Sequence, residues 1–197
     1  MNISVILKTL CLQFLTILIC VPIANAANIA SSEDFENGIS RWEIESNEFI
    51  NIITEPNSKN QLLQLTSKGK RGEFSHTVFK PSKDWNNYRV EGRFLFPTDG
   101  NGYLGFIYNY QKTKERTDFG TIYIKSNGSY VRASPHFDGN PSWRLYEELR
   151  QDITGPRKIR VGAWHQFKFE VIAGTASLYI DNMQDSVLDF AMFNNEF

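Results

Sequence analysis

Apolar residues recur at every second position along most of this chain, and that period leaves room for little except β-structure. In Tyr88-Arg89-Val90-Glu91-Gly92-Arg93-Phe94-Leu95-Phe96, the residues Tyr88, Val90, Phe94 and Phe96 share one face, while Arg89, Glu91 and Arg93 share the other. This is the pattern of a half-buried strand. His165 to Val171 repeats it, with Phe167, Phe169 and Val171 against Gln166, Lys168 and Glu170. After a turn at Gly174, Ala176, Leu178 and Ile180 alternate with Ser177, Tyr179 and Asp181, which predicts an antiparallel hairpin.

Shorter runs at 42–44, 49–53, 61–66, 73–79, 103–110, 121–125, 129–132 and 159–161 read as further strands. Turn-forming clusters separate most of them, among them Glu55-Pro56-Asn57, Lys68-Gly69-Lys70 and Asn127-Gly128. No stretch has the length and period of an amphipathic helix. Many short strands so spaced predict an all-β, two-sheet antiparallel sandwich of the jelly-roll kind. Tyr103 to Tyr110 is almost wholly apolar or aromatic, so both its faces should be covered. The stretch 133–158 breaks the rhythm and reads as a long functional connection.

Residues 1–26 form a separate unit. One cation, Lys8, precedes an apolar run from Leu10 to Ile23, and Ala24-Asn25-Ala26 closes it with small residues at the −3 and −1 positions. That is the pattern of a secretory signal cleaved after Ala26, and it predicts a secreted or periplasmic protein with no membrane span once the signal is removed. Residues 27–197 then form one domain of ordinary size. Both cysteines, Cys11 and Cys20, fall inside the leader, so the exported domain relies on packing rather than disulfides. With 21 basic against 22 acidic residues, the chain lacks the cationic excess of a nucleic-acid groove.

Asp34-Phe35-Glu36-Asn37-Gly38 followed by Trp42 resembles the opening strand of concanavalin A-like jelly rolls of the laminin-G and glucanase type. Gly162-x-Trp164-His165-x-Phe167-x-Phe169-x-Val171, with Leu178-Tyr179-Ile180-Asp181, resembles their paired late strands. In outline the chain is also similar to secreted bacterial domains grouped with the 3-keto-disaccharide hydrolases. The resemblance implies a carbohydrate or glycoconjugate as partner. It carries no catalytic pair, because glucanases of this fold place carboxylates as E-x-D-x-x-E on one strand, and here Glu91 stands alone between Arg89 and Arg93. In such domains a last strand returns beside the first. The segments Val187 to Phe190 and Phe193 to Phe197 resemble only the approach to it, so the reading expects a sandwich lacking that strand.

No nucleophile elbow, phosphate loop, dinucleotide fingerprint or Cys/His metal spacing occurs. The strongest candidate for a ligand site is Trp143-Arg144-Leu145-Tyr146-Glu147-Glu148. Sugar C–H faces stack on rings such as Trp143 and Tyr146, and sugar hydroxyls bond to Arg144 and the carboxylates. The bland alternative is that Trp143, Leu145 and Leu149 merely anchor the connection. His136 lies beside Asp138 in Ser134-Pro135-His136-Phe137-Asp138-Gly139-Asn140, read as a loop in which the carboxylate orients the imidazole. His165 and His76 read as structural. Asp138 and Asn140, with Asp99 and Asn101, could supply oxygen ligands to Ca2+, although Asp-Gly and Asn-Gly are turn formers first. Three functions follow as expectations: a non-catalytic carbohydrate-binding module; a glycoside hydrolase using Glu147 or Glu148 with His136 or Asp138; or a structural, protein-binding envelope component.

Overall fold

The computed structural model describes residues 4–7, 31–44, 49–66, 76–98, 102–138, 140–141, 149–155 and 158–192. The early strands are β1 (Ser4–Leu7), β2 (Trp42–Ile44), β3 (Ile50–Thr54), β4 (Gln61–Thr66) and β5 (Thr77–Phe79). A 3₁₀ turn, Lys80–Asp84, leads to β6 (Tyr88–Phe94), then β7 (Tyr103–Lys112), β8 (Thr117–Lys125) and β9 (Tyr130–Phe137). The chain continues through β10 (Asn140–Pro141), β11 (Arg150–Asp152), β12 (His165–Ile172), β13 (Thr175–Ile180) and β14 (Leu188–Ala191). Every pairing is antiparallel, and no α-helix occurs among the described residues.

Two sheets build the sandwich. One runs β14-β13-β12-β6, and the other runs β10-β9-β8-β7 with β11 also on β9. The period of two decides what lies between them. Phe94, Phe167, Phe169, Leu178 and Ile180 come from the first sheet and meet Leu104, Tyr108, Ile122, Ile124 and Val131 from the second. Phe106 and Phe167 meet at 4.5 Å across this layer, and each fully buried phenylalanine contributes about 1.5–3 kcal/mol. Gly120 leaves space for the Tyr108 ring, since an added Cβ would lie 2.1 Å from Tyr108 Cζ. The molecule is thus an all-β antiparallel sandwich, compatible with a jelly roll.

Smaller sheets flank this core. β1-β4-β3 and β2-β5 carry a second cluster in which Phe35, Ile50 and Leu63 pack with Trp42. Asp34 to Gly38 forms a tight turn rather than a strand, with Phe35 at φ 62° and the Gly38 N–H donating to the Phe35 carbonyl. The predicted hairpin is present as β12 and β13, with Gly174 at φ 80° in its turn. Val187 donates to the Leu178 carbonyl and leads into β14, which pairs with β13; residues 193–197 lie outside the described residues.

The stretch 133–158 is not one loop. β9 runs on through Phe137, so Ser134, Pro135 and His136 are strand residues paired with Thr121, Gly120 and Phe119. Proline is tolerated there because β11 pairs with 130–132 and β10 with 136–137, and residues 133–135 have no ladder on that side among the described residues.

Candidate functional site

The face of the second sheet turned away from the core is built by the same alternation. Because Leu104, Ile122, Ile124, Val131 and Ala133 point inward, Tyr103 and Gly105 of β7, Thr121, Tyr123 and Lys125 of β8, and Tyr130, Arg132, Ser134 and His136 of β9 point outward. Register turns these into cross-strand rows. Gly105 faces Tyr123, Tyr123 faces Arg132, and Arg132 faces Arg150, while Tyr103 faces Lys125 and Tyr130 faces Asp152. Gly105 gives the Tyr123 ring its room, since a Cβ there would sit 3.4 Å from the ring and 2.7 Å from Thr121 Cγ2.

Rings and cations interleave across this face. The Tyr103 and Tyr130 hydroxyls are 2.5 Å apart, and Lys125 Nζ lies 4.5 Å from the Tyr103 ring centre. Arg150 Cζ stands 4.3 Å and Arg132 Cζ 5.9 Å from the centre of the Tyr130 ring. Arg150 Nε donates to Asp152 Oδ1 at 3.2 Å. Burial, and then the hydrogen bond with Tyr130, push the Tyr103 phenol up to about 12.

At the far end of the face, His136 is buried against Phe119, ring to ring at 4.4 Å and 16°. Its Nε2 hydrogen-bonds the Tyr123 hydroxyl. Burial pushes the Tyr123 phenol up, which keeps it protonated at neutral pH. Asp138 takes φ 52°, and its N–H donates to Asp118 Oδ1 at 2.9 Å. Burial would raise the Asp118 carboxyl, but Arg116, at 2.6 Å, and the Asp138 N–H outweigh it and hold it below the usual carboxylate range. His165 is structural: Nδ1 meets Asp181 Oδ2 at 2.7 Å, and Nε2 accepts the Arg160 N–H at 3.0 Å.

The predicted candidates are divided by this arrangement. His136 belongs to the sheet face as a buried strand residue. Asn140 pairs through its backbone with Phe137 in β10. Trp143, Arg144, Tyr146, Glu147, Glu148, Asp99 and Asn101 lie outside the described residues. Among the described residues, no group of three or more His, Cys, Asp or Glu side chains could hold a metal ion. The ring-and-cation lattice itself was not anticipated. Its signal is the pair of tripeptides Tyr123-Ile124-Lys125 and Tyr130-Val131-Arg132, which send ring and cation to one side of adjacent strands.

Fold and face together define a β-sandwich protein with an aromatic and cationic outer sheet surface. No family model, curated protein or solved structure matches the chain. No helix among the described residues is long and apolar enough to cross a membrane.

Proposed function

We propose that this chain is an exported, non-catalytic carbohydrate-binding module of the concanavalin A-like type, binding glycan on the outer face of β7, β8, β9 and β11. The observation that carries the reading is the surface of Tyr103 and Tyr130 flanked by Lys125, Arg132 and Arg150. Tyrosine rings offer apolar planes for sugar C–H groups, and the fixed N–H donors beside them suit paired hydroxyls. The sandwich holds those rings in place at little conformational cost, since sheet side chains anchored by a packed core are pre-organised. The leader pattern in residues 1–26 and the resemblance of the late hairpin to laminin-G and glucanase jelly rolls support export and the sugar-binding class.

A glycan array probed with the full chain tests this. A sugar-dependent signal is expected that weakens about tenfold in Tyr103→Ala or Tyr130→Ala, with Glu91→Gln on the opposite sheet as the unaffected control. Absence of any sugar-dependent signal in the folded wild-type protein overturns the proposal.

A further inference from the structure

We infer that Tyr103 and Tyr130 form a site of oxidative cross-linking, at which a peroxide-driven one-electron oxidant of the haem-peroxidase type joins the two rings by a carbon–carbon bond. The inference is independent of the sugar-binding reading. β8 lies between β7 and β9, yet the two phenols reach over it and their hydroxyl oxygens meet at 2.5 Å. Their ring centres are 6.1 Å apart and the planes are inclined at 55°. Neighbours on both sides hold this approach. Tyr123 packs edge-on against Tyr103 at 5.7 Å, Lys125 Nζ lies 4.5 Å from the Tyr103 ring centre, and Arg150 packs on Tyr130 at 4.3 Å. Tyr123 itself turns its hydroxyl to His136 Nε2. Tyr103 is 37% exposed, so an oxidant too large to enter the sheet still reaches the ring.

Each phenol gives up one electron and its hydroxyl proton and becomes a phenoxyl radical, whose unpaired spin lies partly on the ring carbons beside the C–O bond. Those carbons flank the hydroxyls that already touch. A bond between one such carbon on each ring pairs the two spins. The hydrogen that each carbon bore then moves to its own phenolic oxygen and restores the ring. The pair loses two hydrogen atoms in all, and one hydrogen peroxide takes them up to give two waters. Because the partners are held together, coupling is unimolecular, unlike that of tyrosines that must meet by diffusion. Both cysteines lie in residues 1–26, so this bond offers residues 27–197 a covalent tie that closes the loop from 103 to 130 as a disulfide would.

Treatment of the full chain with a haem peroxidase and hydrogen peroxide, read by dityrosine fluorescence and by mass spectrometry of the digested product, tests the inference. The expected product is a single chain lighter by two hydrogens, in which the peptides bearing Tyr103 and Tyr130 are joined. Its yield per chain should not depend on protein concentration. Tyr103→Phe and Tyr130→Phe, each with a circular dichroism spectrum matching the wild type, should lower that yield at least about tenfold, while Tyr179→Phe on the opposite sheet keeps it. A cross-link that joins two chains, that joins other tyrosines, or that survives in either of the first two variants overturns the inference. So does a folded wild-type chain that forms none.

Discussion

Single side chains on the outer face hold a measurable electrostatic signature. Burial first, and the Tyr130 hydroxyl second, raise the Tyr103 phenol from 10.0 to about 12. The folded state therefore holds this proton more tightly than the unfolded chain. Its contribution to stability is complete below about pH 10 and is lost as pH rises through about 12. Ultraviolet titration of tyrosinate should show the Tyr103 step move down in Tyr130→Phe, because one of the two causes is gone; an unmoved step would contradict the assigned hydrogen bond. Gly128 is a second residue-scale case. It sits at φ 66°, and a Cβ there would lie 2.3 Å from the Ile159 carbonyl oxygen, a backbone atom that has little freedom to yield. Gly128→Ala should cost about 1–3 kcal/mol and lower the melting temperature accordingly. The Asn127-Gly128 pair was legible as a turn from sequence, but the close approach of Ile159 was not, since it brings together residues far apart in the chain.

At the scale of strands, the predicted elements hold wherever one face is buried and the other charged. β6 and β13 follow their alternation and β12 departs from it most at the buried Glu170, while β7 buries Leu104 and Tyr108 on its core side and leaves Tyr103 exposed and Ile107 half-buried on the other, less cover than its aromatic run implied. The strand period marks β9 only over 129–132, and the residues from 133 on read as a connection because they break that rhythm. The gap between the β10 and β11 pairings, which makes Pro135 harmless, is set by residues distant in sequence. The same dependence on register hid the Tyr103, Tyr123 and Tyr130 row, since each strand alone shows only a single outward ring. The opposite sheet carries a charged counterpart. Glu170 of β12 faces Arg89 of β6, whose Nη2 and Nε both approach at 2.5 Å, and Lys168 Nζ lies 3.4 Å away. Burial would raise the Glu170 carboxyl, yet Arg89 and then Lys168 outweigh it and hold it below the ordinary carboxylate range. A carboxyl depressed by folding adds stability above its unfolded value and loses it as pH falls through the lower folded value. Glu170→Gln should therefore melt below the wild type at neutral pH, with the gap closing below about pH 4. A gap that stays constant from neutral pH to about pH 3 would remove the ion pair from the account.

For the molecule as a whole, the open question is the seam beside the main sandwich. β1 pairs with β4 over Ser4–Leu7 and lies against β6, so in the full chain it fills the space between the small sheet and the four-stranded one. Those residues also fall within the leader expected from the sequence. Cleavage after Ala26 would take β1 away and leave β3 and β4 as a two-stranded hairpin with the β4 edge newly bare, which is a marginal arrangement unless something packs on it. Hydrogen-bond direction makes the consequence specific. The Thr66 N–H donates to the Phe49 carbonyl on the β3 side, so strand alternation sends the Gln64 N–H the same way and the Leu63 and Leu65 N–H groups toward β1. In a chain starting at residue 27, the Leu63 and Leu65 amides should exchange with deuterium far faster than in the full chain, while Gln64 and Thr66 keep their protection. Unchanged protection at Leu63 and Leu65 would mean that another strand occupies the edge once the leader is gone. Loss at all four would mean that the hairpin itself depends on β1, and that export reshapes this flank of the sandwich.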